Sequence, residues 1–288
     1  MNAANSKRGT DEAPSGLFDD PPRAIDGIRV GIGGWTYAPW RNNFYPAGLV
    51  QRRELEYASR HVSAIEINGT YYGTQKPAVY AKWRDEAPDG FAFSAKAPKR
   101  ITGARSLAKV GAQVEDFVGG IAELGDKLGP LVWQFEHGRP IDAADFEAFL
   151  GLLPKTAGKR ALRHVLDVRD PTFIDAAFLA LVRKHGFATV FTDSGEYPSF
   201  ADLTADFVYA RLMRTRSEIV TGYAAADLGE WAQRARIWAG GGEPDDLPRI
   251  APRASDANKH RDVYLYFISA AKERNPAAAM ALLERLAR

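Results

Sequence analysis

"FVYARLMR", residues 207–214, sets Val208, Ala210 and Leu212 against Tyr209 and Arg211. If this run is a strand, the period of two puts the tyrosine and the arginine on one face and the aliphatic residues on the other. A parallel sheet covered by helices buries both faces, so a charge in such a strand needs a reason. Turned outward, the guanidinium would be pressed under a helix, at a cost of several kcal/mol if unpaired. Turned inward near the C-terminal end of a closed barrel, it meets water, ligand or other charges.

The same parity recurs elsewhere. AIEINGTYY carries Glu66 and Asn68 against Ile65 and Ile67, and FAFSAKAPKR carries Ser94 and Lys96. VLDVRDP carries Asp167 and Arg169 against Leu166 and Val168. Gln134 and Asp193 end two further runs. Four strands with polar pairs at corresponding ends predict a ring of charged groups at one mouth of a barrel. The competing reading of that ring is a plug of salt bridges, such as Asp167 with Arg211 or Glu66 with Lys96.

The rest of the chain has the organisation this requires. Short β-rich apolar runs fall at 28–33, 62–67, 91–95, 130–135, 163–168, 187–192, 206–212 and 262–268. Helix-like stretches lie between them, at about 50–60, 76–86, 105–125, 142–153, 174–185, 224–239 and 275–286. Asp142 and Asp227 stand where acids favour helix starts. Only SGEYPSFADL, after the sixth run, lacks a helical pattern. Eight such units predict an α/β fold, a single (β/α)8 TIM-type barrel over residues 25–288, with an open doubly wound sheet as the alternative. Residues 1–24 are polar and rich in Gly and Pro, without the apolar core of a signal peptide, and read as a disordered tail. Residues 239–261 read as a mobile loop insertion before the last strand, on the face opposite the ring.

Composition narrows the chemistry. With 45% hydrophobic and 26% charged residues in 288, a large core is affordable, and no run approaches the roughly 18 apolar residues of a membrane span. There is no cysteine, which excludes disulfides and thiol nucleophiles and fits a reducing, cytoplasmic location. Five unpaired histidines argue against a metal centre. GIGGWT lacks both the Lys-Ser/Thr ending of a P-loop and the third glycine of a dinucleotide fingerprint. The net charge of +2 is too small to announce nucleic acid by itself. However, Lys96, Lys99, Arg100, Arg105, Arg169, Arg211, Arg214 and Arg216 all fall at or just past strand ends, which is a local basic rim. GIGGWTYAPW, residues 31–40, opens the same rim, where its glycines permit close backbone approach and its aromatics suggest a wall, extended by Tyr71 and Tyr72.

Several blocks, in order, resemble the DUF72 (YecE-like) family: VGIGGWTYAPWRNNFYP (30–46), IEINGTYY (65–72), FAFSAKAPKRITG (91–103), LGDKLGPLVWQF (124–135), VLDVRDP (165–171), FTDS (191–194), FVYARL (207–212) and VYLYF (263–267). The resemblance implies a TIM-type barrel and no established reaction. It also implies histidines that this chain lacks: Asp170, Gly103 and the Met213-Arg214 pair stand where the family pattern has them, and Ile268-Ser269 stand where it has asparagines.

These observations together predict a barrel that binds, and if catalytic transforms, a small anionic ligand such as a phosphosugar or nucleotide fragment. Glu66 and Asp167 are the candidate acid–base residues. Trp35, Tyr37, Asn68, Tyr72, Lys96, Gln134, Arg169, Asp193 and Arg211 are the candidate ligand-binding residues. No cofactor, metal or membrane is expected. The rival readings are a nucleic-acid binder using the same rim and a non-catalytic ligand-binding scaffold.

Overall fold

The computed structural model describes residues 22–138, 141–253 and 259–288; the expectations for residues 1–21 and 254–258 lie outside these. Eight strands form the body: β1 (Ile28–Gly33), β2 (Ala64–Ile67), β3 (Ala92–Lys96), β4 (Leu128–Phe135), β5 (His164–Val168), β6 (Ala188–Thr192), β7 (Phe207–Leu212) and β8 (Asp262–Phe267). Each pairs in parallel with its neighbours in sequence, and β1 also pairs with β8, so the sheet closes into a barrel and the open-sheet alternative is excluded.

The covering helices are α1 (Glu54–Ala58), α2 (Pro77–Glu86), α3 (Gly111–Ile121), α4 (Ala143–Leu152), α5 (Ala176–His185), α6 (Ala225–Ala239) and α7 (Asn275–Leu286). Local chemistry fixes several ends. The Asp142 carboxylate accepts the Asp145 N–H at 2.8 Å to start α4, and Asp175 accepts that of Phe178 at 2.8 Å to start α5. Asp227 lies in the first turn of α6. The β6–β7 connection has no helix, as its sequence predicts. In its place, the segment after α6 is tied to that connection: Asp202 accepts the N–H groups of Ile250 and Ala251 at 2.8 and 2.9 Å.

The barrel has two cores. Ile65, Ile67, Phe93, Val208, Ala210 and Leu212 belong to the apolar layer beneath the helices. Ala64, Ala92, Val132, Val190, Phe207, Tyr209, Tyr264 and Tyr266 pack together inside the lumen. The lumen is filled asymmetrically. On one side, a Cβ at Gly31 would lie 2.1 Å from the Ala64 carbonyl oxygen and 3.0 Å from the Tyr266 ring, so only glycine fits. From the strand beside Gly31, Tyr266 reaches across to bond Ser94 Oγ at 2.7 Å. Above this aromatic fill lie the charged residues of strand parity.

Candidate functional site

The barrel brings the inward residues of β2, β4, β5 and β7 into one buried ion layer. Arg211, 2% exposed, donates from Nε to Glu66 Oε2 at 2.9 Å, and from Nη1 to Asp167 Oδ2 at 2.5 Å. Its Nη1 also reaches Gln134 Oε1 at 3.5 Å. Tyr209 donates its hydroxyl to the same Glu66 oxygen at 2.5 Å. Burial alone would lower the Arg211 pKa, but the carboxylates of Glu66 and Asp167 raise it and keep the guanidinium charged. Two atoms of this layer, Glu66 Oε1 and Arg211 Nη2, are buried with no hydrogen-bond partner.

A cavity of about 290 Å³ opens over this layer. Glu66, Asn68, Tyr72, Lys96, Arg169 and Arg211 line it, so six of the residues predicted from sequence converge there. Asp167 and Gln134 support the cavity from one contact away, through Arg211. Arg169 donates from Nε to Asp167 Oδ2 at 3.3 Å, and its guanidinium lies 4.0 Å from the Tyr197 ring. Glu136 closes the circuit: it accepts the Tyr71 hydroxyl at 2.5 Å and the Gln134 amide, and pairs with Arg169 Nη1 at 3.6 Å.

Two cations of the cavity have no carboxylate partner among the described residues. Lys96 Nζ sits 4.0 Å from the centre of the Tyr71 ring. Burial lowers its pKa to about 8; the positive charges of Arg211 and Arg169 push the same way, and Glu66 and Asp167 offset the shift only in part. Lys272 Nζ sits 4.5 Å from the Tyr37 ring and 5.7 Å from that of Trp40, and burial lowers its pKa too.

Three predicted residues lie elsewhere. Trp35 is packed edge-on against Trp83, with centroids 4.8 Å apart, and beside Phe93. Tyr37 stacks edge-on with Trp40 and touches the cavity only by lying under Lys272. Asp193 is engaged locally, accepting the Met213 N–H at 2.5 Å and the Tyr223 hydroxyl at 2.6 Å. The aromatics of 31–40 therefore serve packing more than a ligand wall, because Trp40 is fully buried and its indole N–H is satisfied by the Lys272 carbonyl. Several outer rim cations are paired, Arg100 with Asp116 at 3.3 Å and Arg216 with Glu218 at 3.8 Å. Among the described residues no group of three or more His, Asp or Glu could hold a metal ion. His164 is a core residue, accepting the Trp133 indole N–H at 3.0 Å, with burial lowering its pKa to about 4.

Sequence reasoning missed Lys272, Tyr197, Ser269 and Asn275, which also line the cavity. Lys272 had a weak signal, being a cation soon after the last strand. What brings it over the barrel is a turn in which Ser269 and Ala270 both adopt left-handed φ values, 64° and 47°. Such consecutive positive-φ non-glycine residues cost roughly 1–2 kcal/mol each and are not readable from sequence.

The family model described as "Protein of unknown function DUF72" matches residues 29–288. The chain belongs to the DUF72 family. Its barrel superposes on a DUF72 protein of Thermotoga maritima with a TM-score of 0.67 at 16% identity, covering 90% of this chain and 98% of that one. A DUF72 protein of Enterococcus faecalis gives 0.62 at 15% identity, covering 91% and 98%. In sequence, the UPF0759 protein YecE of Escherichia coli is 28% identical over 143 residues, which is 49% of this chain and 43% of YecE. The match thus spans less than half of that curated relative. At these identities the structural neighbours establish the DUF72 fold, a TIM-type barrel, and among the described residues no helix is long and apolar enough to cross a membrane.

Proposed function

We propose that the cavity at the C-terminal rim binds a small anionic ligand, of the size of a phosphosugar or nucleotide fragment. The observation that carries this reading is the pair of ammonium groups, Lys96 and Lys272, both lining the cavity over aromatic rings and, among the described residues, in no ion pair with a carboxylate. A cation over a ring recovers about 0.5–2 kcal/mol, less than the several kcal/mol that desolvating a charge costs. A phosphate or carboxylate supplies the missing countercharge. Arg169 stands beside them at the cavity wall. Of the two candidate acid–base residues, Glu66 fits better, because it lines the cavity and its Oε1 is unpartnered, while Asp167 Oδ2 serves both Arg169 and Arg211. The test is calorimetric titration with sulfate and with sugar phosphates, repeated on Lys96→Met. Saturable binding lost in the variant supports the reading; no binding to the wild-type protein defeats it.

One observation favours nucleic acid as the second reading. Tyr72 is 80% exposed, with Lys99 Nζ 5.8 Å from its ring, an arrangement suited to base stacking next to a phosphate. Single-stranded binding would weaken with salt at a logarithmic slope of about −0.7 per phosphate contact, whereas a flat response leaves the small-ligand reading.

A further inference from the structure

We propose that Lys96 is a carbonyl-trapping lysine: it forms an imine with an aldehyde or ketone that also carries a phosphate or carboxylate group. The inference rests on the anion-binding reading of the same cavity and names the substrate class within it. Lys96 is the last residue of β3, so its backbone is fixed by the barrel; Thr70 Oγ1 also donates to its carbonyl at 2.6 Å. Lys96 lines the cavity, its amine lies over Tyr71, and it makes no ion pair with a carboxylate among the described residues. A nucleophilic lysine needs this environment, since desolvation and neighbouring guanidiniums favour the neutral amine, and its pKa near 8 leaves a usable fraction neutral at ordinary pH. Lys272 differs in opening a short 3-10 helix, Lys272–Arg274, where it lies over two rings and its pKa is lowered by burial. It suits the anionic end of the ligand, together with Arg169.

The step balances without any further reagent. The Nζ lone pair forms a bond to the carbonyl carbon while the carbonyl oxygen takes up a proton. The resulting carbinolamine loses that oxygen as water after a second protonation, and the nitrogen, having released one of its protons, remains as a protonated imine. The net change is carbonyl plus amine plus one proton, giving iminium plus water. Glu66 lines the same cavity and has Oε1 without a hydrogen-bond partner, so it is the group assigned to take the proton that nitrogen gives up.

The experiment compares two probes that differ only at the carbonyl, dihydroxyacetone phosphate and glycerol 3-phosphate, each incubated with the full chain and then reduced with borohydride. Intact mass and peptide mapping should show an adduct at Lys96 with the ketone (its mass less water, plus two hydrogens), and none with the alcohol. Lys96→Arg keeps the positive charge but has no nucleophilic amine, so it should lose the adduct even at ketone concentrations raised to offset any loss of phosphate affinity. Circular dichroism and thermal unfolding confirm that the variant is folded; if it is not, the peptide map of the wild-type adduct alone decides whether the imine is at Lys96. Binding of both phosphates without an adduct, or an adduct confined to other lysines, overturns the imine proposal and leaves the anion reading standing. Failure of both phosphates to bind overturns both.

Discussion

The two mouths of the barrel both carry inward-facing cations, yet they are compensated differently. At the N-terminal mouth, Asp262 accepts Arg29 Nη1 at 3.3 Å through one oxygen and Arg163 Nη1 at 2.5 Å through the other. Arg163 also donates to the Tyr264 hydroxyl at 3.0 Å. Every charged side chain of that trio is in an ion pair. At the C-terminal mouth, Arg211 is held in the same way by Glu66 and Asp167, but Lys96 and Lys272 lie over rings and, among the described residues, make no ion pair. Strand parity turns charges inward at both ends; carboxylate supply separates a structural plug from a cavity short of negative charge. Arg211 has both aspects, since it lines the cavity and also locks two carboxylates.

The largest effect should come from breaking the locked layer. Arg211→Met leaves Glu66 and Asp167 without their shared cation in a buried setting, and should cost about 3–5 kcal/mol of stability, read as a drop in the denaturant midpoint. An unchanged midpoint would mean that the layer is not a plug. Removing an uncompensated cation should act in the opposite sense. Lys96→Met is expected to weaken sulfate binding about tenfold or more, equivalent to roughly 1.4 kcal/mol, without lowering the melting temperature. A variant that loses stability while keeping its affinity would place Lys96 with the plug. Asp262→Asn is the matching change at the other mouth. It should destabilise by about 1 kcal/mol, because its pairs are partly solvated, and leave sulfate affinity untouched.

The smallest effect is in pH. The Lys96 pKa in the folded chain, about 8, is below its ordinary value of 10.5. The unfolded chain therefore holds more protons between those values, so the contribution of Lys96 to stability rises with pH across that window and its penalty is fully present below it. Binding runs the other way: sulfate, which does not titrate there, should lose affinity as pH passes about 8 and Lys96 becomes neutral. A pH-independent affinity from 6 to 9 would remove Lys96 from the site.

Much of this was legible in the sequence because a strand has only two faces. Glu66, Lys96, Asp167, Arg169 and Arg211 could be placed inside the barrel from the apolar residues that alternate with them, and the missing helix after β6 could be read from SGEYPSFADL. Loop residues have no such period. Trp35 and Tyr37 follow a strand end and looked like a wall, yet the chain turns them into contact with Trp83 and Trp40. Lys272 arrives only through the left-handed turn at Ser269 and Ala270.

The sequence by itself therefore determined the barrel, its order of elements and the inward set of charges, since these follow from local periodicity and the need to bury both faces of a parallel sheet. Only the tertiary structure decided which charges are spent on one another. That depends on distances across the lumen between residues as far apart in the chain as Glu66 and Arg211, 145 positions, which decide which cations are locked in ion pairs and which are left without one.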